Sequence, residues 1–302
     1  MRHLLDIDDL STDELVHLLD LAEKGPLPPV LDKQGVALIF EKPSARTRNA
    51  TEMAVVQLGG HPITIRGEEI GLDTRESVED VTRTLARYHA VLAARVFDHR
   101  TLERMVAVSS VPVVNLLSDV AHPMQALADV LTLRQEFGSL DGRTLAWVGD
   151  ANNVCRSLTV AAGKLGMRVR VAPPVGYEFS DAELERMALA GARPEQLGRP
   201  EDAVDGADAV VTDTWVSMGQ EAEASDRKKD FEGYTVDVEL MRRAAPHAVF
   251  LHCLPAHRGE EVSHDVIDGP QSRVWVAAEN RMHTARAVLS WLHTHAQGDS
   301  NA

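Results

Sequence analysis

The sequence predicts an α/β protein made of two doubly wound parallel-sheet domains. Short β-branched runs alternate with longer helical segments, the pattern of βαβ units whose parallel sheet is covered on both faces. The alternation breaks at the turn cluster Gly138-Ser139-Leu140-Asp141-Gly142 and then restarts. A length of 302 residues, 44% of them hydrophobic, also exceeds what one core usually organises.

The elements follow in order. Ser11-Thr12-Asp13-Glu14 is a capping box, and Leu15, Leu18, Leu19 and Ala22 continue at helical spacing until Gly25 and a proline-rich loop. Val36-Ala37-Leu38-Ile39-Phe40 reads as a buried strand, after which Pro43 and Ser44 open a helix with Met53, Val56 and Leu58 as its periodic apolar positions. Strands are expected at 62–65, 90–94 and 112–116, with helices at 77–88, from His99, and at 122–137. The second domain, 138–282, should hold strands at 144–148, 168–172, 209–212, 248–251 and 274–276. Its helices should start near Cys155, at the capping box Ser180-Asp181-Ala182-Glu183, and near Asp237. A last helix is expected at 283–295. The charged stretch 220–234 lacks periodicity and reads as a mobile, lid-like loop.

Composition excludes several function classes. A net charge of −15 and a pI near 5.3 argue against a nucleic-acid partner, which requires a basic face. Cys155 and Cys253 lie far apart, match no zinc spacing, and read as reduced thiols of a cytoplasmic protein. The acidic start and the lack of a long apolar run predict neither a signal peptide nor a membrane span.

In open α/β sheets ligands bind beyond the carboxyl ends of the strands, and polar residues gather there. The first strand leads into Lys42-Pro43-Ser44-Ala45-Arg46-Thr47-Arg48. Unpaired first-turn amides, two hydroxyls and three cations suit a phosphate, although a plain capping serine with solvated arginines fits the same residues. Arg95 follows another strand. In His122-Pro123-Met124-Gln125 the proline fixes a helix start and sets His122 and Gln125 one turn apart. An imidazole can donate to a carbonyl and Gln125 can accept from an amide; a surface capping histidine is the alternative. Gly149-Asp150-Ala151-Asn152-Asn153 has one glycine where a dinucleotide fold has three, which argues against a nicotinamide cofactor. Asn153 can serve an amino-acid head group or a simple turn. Asp213 offers a carboxylate for an ammonium, or a helix cap, with Ser217 four residues on. In His252-Cys253-Leu254-Pro255 the thiol either faces a nucleophilic amine or fills space.

Together, Ser44-Ala45-Arg46-Thr47-Arg48, Arg95, His122-Pro123-Met124-Gln125, the run Asp213 to Gly219, His252-Cys253-Leu254-Pro255 and Glu279-Asn280-Arg281 resemble, in order and spacing, the ornithine carbamoyltransferases of the aspartate/ornithine carbamoyltransferase superfamily. The resemblance implies transfer of the carbamoyl group of carbamoyl phosphate to the δ-amine of L-ornithine, giving citrulline and phosphate without a metal or organic cofactor. It implies a phosphate site at Ser44, Ala45 (through its backbone), Arg46 and Thr47, with Arg95 reaching phosphate and carbonyl oxygen. Carbonyl and amide recognition fall to His122, Gln125, Cys253, Leu254 (through its backbone) and Arg281, and ornithine recognition to Asn153, Asp213, Ser217 and Met218. The implied assembly is a homotrimer of two-domain chains. Each chain has a carbamoyl-phosphate domain at 1–137, rejoined by the last helix (283–302), an ornithine domain at 138–282, and the active site in the cleft between them.

Asn49-Ala50-Thr51 departs from the family's more usual residues, and two further departures bear more directly on that implication. Ala45 stands where the family usually has a threonine, so a phosphate-binding hydroxyl is replaced by a methyl group. Gly71 stands where the ornithine type usually has Gln or His reaching a neighbouring subunit's phosphate, and the nearby carboxylate of Glu69 is expected not to replace it. These two sites raise the possibility of another amine acceptor, such as lysine or putrescine, or of a weakly active binding paralogue.

Overall fold

The structure is a computed structural model that describes residues 1–216 and 221–300. By compactness the chain divides into two units, Met1–Leu131 with Glu279–Ala302, and Thr132–Ala278.

The first unit is built on a four-stranded sheet of order β2-β1-β3-β4, from Gly35–Phe40 (β1), His61–Arg66 (β2), His89–Arg95 (β3) and Val113–Leu117 (β4). All pairings are parallel. β1 and β3 lie in the middle and read as continuous apolar runs because both faces are covered. Ala37, Ile39, Leu92 and Ala94 pack there with Leu102 and Met105 of the helix His99–Val108. The first helix, Thr12–Glu23, is capped by Ser11 and Glu14 and buries Leu15, Leu18, Leu19 and Ala22, as its spacing requires.

The second unit carries a five-stranded sheet of order β7-β6-β5-β8-β9, also parallel. Its strands are Thr144–Val148 (β5), Arg168–Ala172 (β6), Glu195–Gln196 (β7), Ala209–Thr212 (β8) and Val249–His252 (β9). Ala146, Val148, Val210 and Phe250 form a core with residues of the short helices Pro200–Val204 and Val238–Met241.

Three expectations need correction. The run Val274-Trp275-Val276 is not a strand but the opening of the helix Val274–Ser300, which starts nine residues before the expected 283. Val274, Ala277, Asn280 and Arg281 are buried while Trp275 and Val276 are exposed, a helical rather than an alternating spacing. The stretch 220–234, expected to be a loop, holds in its described part a 3-10 turn, Glu221–Glu223, and a helix, Ala224–Asp230, whose Arg227 is buried. In the helix Ala45–Gln57 the face that packs inward is Thr47, Thr51, Ala54 and Val55, leaving Met53 and Val56 about half exposed.

Candidate functional site

In the first unit, Ser44 caps the helix Ala45–Gln57, with its Oγ accepting from Thr47 N–H at 3.4 Å and donating to Thr47 Oγ1 at 3.1 Å. A helix start leaves its first amides without intrahelical partners, so Ala45 and Arg46 present N–H groups together with the exposed Arg46 guanidinium. Ala45 is the first helical residue; losing its hydroxyl leaves that amide unchanged.

His122 is 4% exposed, directly before Pro123 at the start of the helix Pro123–Phe137, which excludes a surface capping histidine. Burial holds its pKa well below the usual 6.5, and the charges of Arg281, Arg95 and Arg46 push the same way. The imidazole is therefore neutral at pH 7 and lies in the field of those three cations. Arg281 is itself buried: Nη1 donates to Gln125 Oε1 at 2.8 Å and Nη2 to Thr47 Oγ1 at 2.8 Å. Arg95 ends β3 and is 5% exposed. The structure thus gathers Ser44, Arg46, Thr47, Arg95, His122, Gln125 and Arg281 in one unit, a set of donors suited to a dianion with an attached carbonyl.

In the second unit, β8 and β9 deliver Asp213 and Cys253 side by side. Asp213, 7% exposed, accepts from the Cys253 thiol at 2.7 Å, from Thr214 N–H at 2.7 Å and from the Asn152 amide at 2.9 Å. Asn152, which sequence reasoning passed over for Asn153, also caps the helix Asn153–Lys164 through its Oδ1. Asp213 caps no helix with these bonds; its carboxylate is oriented from three sides. Ser217 and Met218 lie outside the described residues.

His252 braces the next turn. Its Nδ1 accepts from Leu254 N–H at 2.8 Å, so a neutral ring carries its proton on Nε2, 3.1 Å from the fully buried Glu261. Leu254 sits at φ +58°, costly for a side chain with a Cβ, and that bond helps hold it there.

A third cluster went unseen in the sequence. Arg227 forms a salt bridge with Asp150, just beyond β5, and its Nε donates to the carbonyl of Trp215, just beyond β8, at 2.5 Å. Its guanidinium stacks 4.7 Å from the Tyr177 ring and 5.3 Å from Phe231. Burial pushes the Asp150 carboxyl up while Arg227 pulls against it. No local pattern marks a lone arginine whose partners come from two strand ends.

Among the described residues, two groups bring donor atoms within 4.8 Å of one another: Asp213, His252 and Cys253, and His257, Glu260 and Glu261. In the first, both ring nitrogens of His252 and both carboxylate oxygens of Asp213 are already bonded as above. In the second, Glu260 pairs with Lys228 at 2.6 Å.

The loop around Gly71 also differs from a simple loss of side chain. Gly71 ends the short helix Gly67–Ile70 at φ +58°, and a Cβ there would come 2.9 Å from Arg75 Cβ. Glu69 is engaged by Arg66 N–H at 2.9 Å.

Residues 2–135 match the family model of the carbamoyl-P binding domain of aspartate/ornithine carbamoyltransferase, and residues 141–292 that of the Asp/Orn binding domain. The chain belongs to the aspartate/ornithine carbamoyltransferase family. It is 48% identical over 292 residues to an ornithine carbamoyltransferase of Thermus thermophilus, covering 95% of each chain. It is 45% identical over 307 residues to that of Acidothermus cellulolyticus, covering 99% of this chain and 98% of the relative. The solved ornithine carbamoyltransferase from Pyrococcus furiosus superposes with a TM-score of 0.92 at 42% identity, covering 97% of each chain. As a member of this family the chain is an α/β protein of two parallel-sheet domains, like these relatives along their whole length.

Proposed function

We propose that the protein is an ornithine carbamoyltransferase of arginine biosynthesis, transferring the carbamoyl group of carbamoyl phosphate to the δ-amine of L-ornithine to give L-citrulline and phosphate. The observation that carries this reading is the buried Asp213 carboxylate holding the Cys253 thiol, in a chain whose full-length relatives bear that name.

In this reading the amides of Ala45 and Arg46, the hydroxyls of Ser44 and Thr47, and the Arg46 guanidinium bind the phosphate. Arg95 spans phosphate and carbonyl oxygen, while neutral His122 donates to that oxygen. Gln125 reads the carbamoyl amide, helped by Arg281 and by the backbone at Leu254. Asp213 takes the α-ammonium and Asn153, with Ser217 and Met218, the rest of the amino-acid head group, leaving the uncharged δ-amine beside Cys253. The amine lone pair forms the new C–N bond, the C–O bond to phosphate breaks, and the amine proton leaves with phosphate or solvent. Charge grows on the carbonyl and phosphate oxygens as this happens, so preorganised cations stabilise the transition state more than the ground state. No step draws on a cofactor or metal.

The departures at Ala45 and Gly71 both lie in the first unit, whereas acceptor recognition is assigned to residues of the second. Ornithine therefore remains the favoured acceptor over lysine or putrescine. A homotrimer and a cytoplasmic location accompany this proposal; among the described residues no helix is long and apolar enough to cross a membrane.

The test is citrulline formation by the purified protein, with lysine and putrescine as competing acceptors. Turnover with ornithine should rise with pH as the amine deprotonates, free alkylamines having a pKa near about 10.4. Silence with ornithine between about pH 6 and 10, or faster turnover with another amine, overturns the proposal.

A further inference from the structure

The helix Pro123–Phe137 sets Asp129 four residues beyond Gln125 on the same face, and Asp129 is 1% exposed. The reaction as set out above does not use it. A carboxylate so deep is expensive to desolvate and is kept only for the bonds it accepts. One of these comes from Gln125, whose Nε2 donates to Asp129 Oδ1 at 2.9 Å. At the other end of the same amide, Oε1 accepts from Arg281 Nη1 at 2.8 Å. An ionised carboxylate only accepts and a guanidinium only donates, so the two neighbours together admit a single flip of the Gln125 amide. The chain then runs on: Arg281 Nη2 donates to Thr47 Oγ1, which also accepts from Ser44 Oγ.

We infer that Asp129 is a positioning residue that makes Gln125 an acceptor for the NH2 group of the carbamoyl donor. With Oε1 held toward Arg281, one lone pair serves the guanidinium and the second is left for a donor N–H. A methyl group in place of that NH2 leaves the lone pair unanswered, and a site built for a hydrogen bond rejects the analogue lacking it. Without Asp129 the amide keeps only its Arg281 anchor, its Nε2 is left without an acceptor, and Oε1 is held less firmly toward the ligand N–H. The residue thus sets discrimination between carbamoyl donors. This inference rests on the carbamoyltransferase reading.

The experiment compares binding of phosphonoacetamide, which keeps the terminal NH2, with phosphonoacetone, which carries a methyl there, by calorimetry on the full chain. Wild type should prefer the amide. Asp129→Leu, which keeps the branched shape with larger methyl ends and no acceptor, should reduce that preference roughly tenfold while leaving phosphonoacetone affinity nearly unchanged. Asp129→Asn, which keeps one oxygen, should fall in between, at about threefold. A merely structural role lowers the fraction of competent protein and leaves the ratio of the two constants untouched. If Asp129→Leu does not fold, Asp129→Asn decides: an unchanged ratio overturns the inference. Equal affinity of wild type for both ligands also overturns it. Binding of neither ligand by wild type would instead count against the carbamoyltransferase reading itself.

Discussion

Replacing Arg227 by methionine tests whether the cluster of Asp150, Arg227 and Trp215 holds the second unit together. The guanidinium is buried to 5% side-chain exposure and the Asp150 carboxylate to 16%, so methionine fills the volume but strands a buried charge. Removing one partner of a buried pair costs about 3–5 kcal/mol. The stacking on Tyr177 and Phe231 adds about 0.5–2 kcal/mol, part of which the methionine side chain retains. The loss should depend on pH, and its sign follows from Asp150. Burial already raises that carboxyl in the folded state, and without Arg227 it rises further. A raised carboxyl penalises folding once pH exceeds the unfolded value, near about 3.9, and the penalty grows until pH passes the folded value. Arg227→Met should therefore be much closer to wild type at pH 5 than at pH 8.

Urea unfolding followed by tryptophan fluorescence is a suitable assay. Trp147 donates to the Asp150 carbonyl at 2.9 Å and Trp215 accepts from Arg227, so two indoles report on the cluster. The double variant Arg227→Met/Asp150→Asn should recover a large part of the loss, because the stranded charge is gone. A single variant within about 1 kcal/mol of wild type at pH 8, or an equal loss at both pH values with no recovery in the double variant, refutes the reasoning.

His122 supplies an acid-side prediction: its pKa is depressed, so below about 6.5 the unfolded chain takes up a proton that the folded one refuses. Stability of the wild type should fall as pH drops through that range, and His122→Gln, measured by the same unfolding assay, should fall less. Arg46→Gln should cut kcat/KM by about 10²–10³ while moving stability by less than about 0.5 kcal/mol, since the side chain is exposed at a helix start. Gly71→Gln, which restores the family's usual residue type, should destabilise by about 1–2 kcal/mol in a thermal or urea melt, because φ +58° and Arg75 oppose a side chain there. A stable, more active Gly71→Gln would show that the loop tolerates the family's conformation.

The fold was legible where local signals agreed with tertiary burial. Ser11 and Glu14, Ser180 and Glu183, and the apolar runs of β1 and β5 say locally what the structure does globally. It was illegible where a short apolar run had two readings: Val274-Trp275-Val276 suits a strand, and only its continuation to Ala277 and Asn280 reveals a helical face. The helix Ala45–Gln57 misled in the opposite way, its exposed Met53 and Val56 being more conspicuous than its buried threonines. For the candidate site, chemistry-bearing residues stand out in the sequence because they sit in compact motifs after strands. Their partners do not. Arg227 meets Asp150 across 77 positions and Arg281 meets Thr47 across 234, separations at which spacing carries no information.

Those long-range partners also resolve why a chain of net charge −15 can bind a phosphate dianion at all. At a buried site the local charges decide, because screening by solvent is weak there and the distant surface contributes little. In the first unit Arg95 and Arg281 are buried and, with Arg46, act on His122, which burial first and then the field of these cations keep neutral. In the second unit the order is reversed. Arg227 neutralises Asp150, while the carboxylate of Asp213 is ringed by a thiol and amides that add no charge; in the function proposed above it is this carboxylate that selects the cation. In that reading the donor set of the first unit carries positive charge and the acceptor set of the second the negative charge of Asp213. A doubly charged phosphate ester and a cationic amino acid can be told apart by sign before any shape is read. Were Asp150 left without Arg227, an uncompensated second carboxylate would stand in the field of Asp213, and the preference of that site would shift toward ligands with more than one ammonium group.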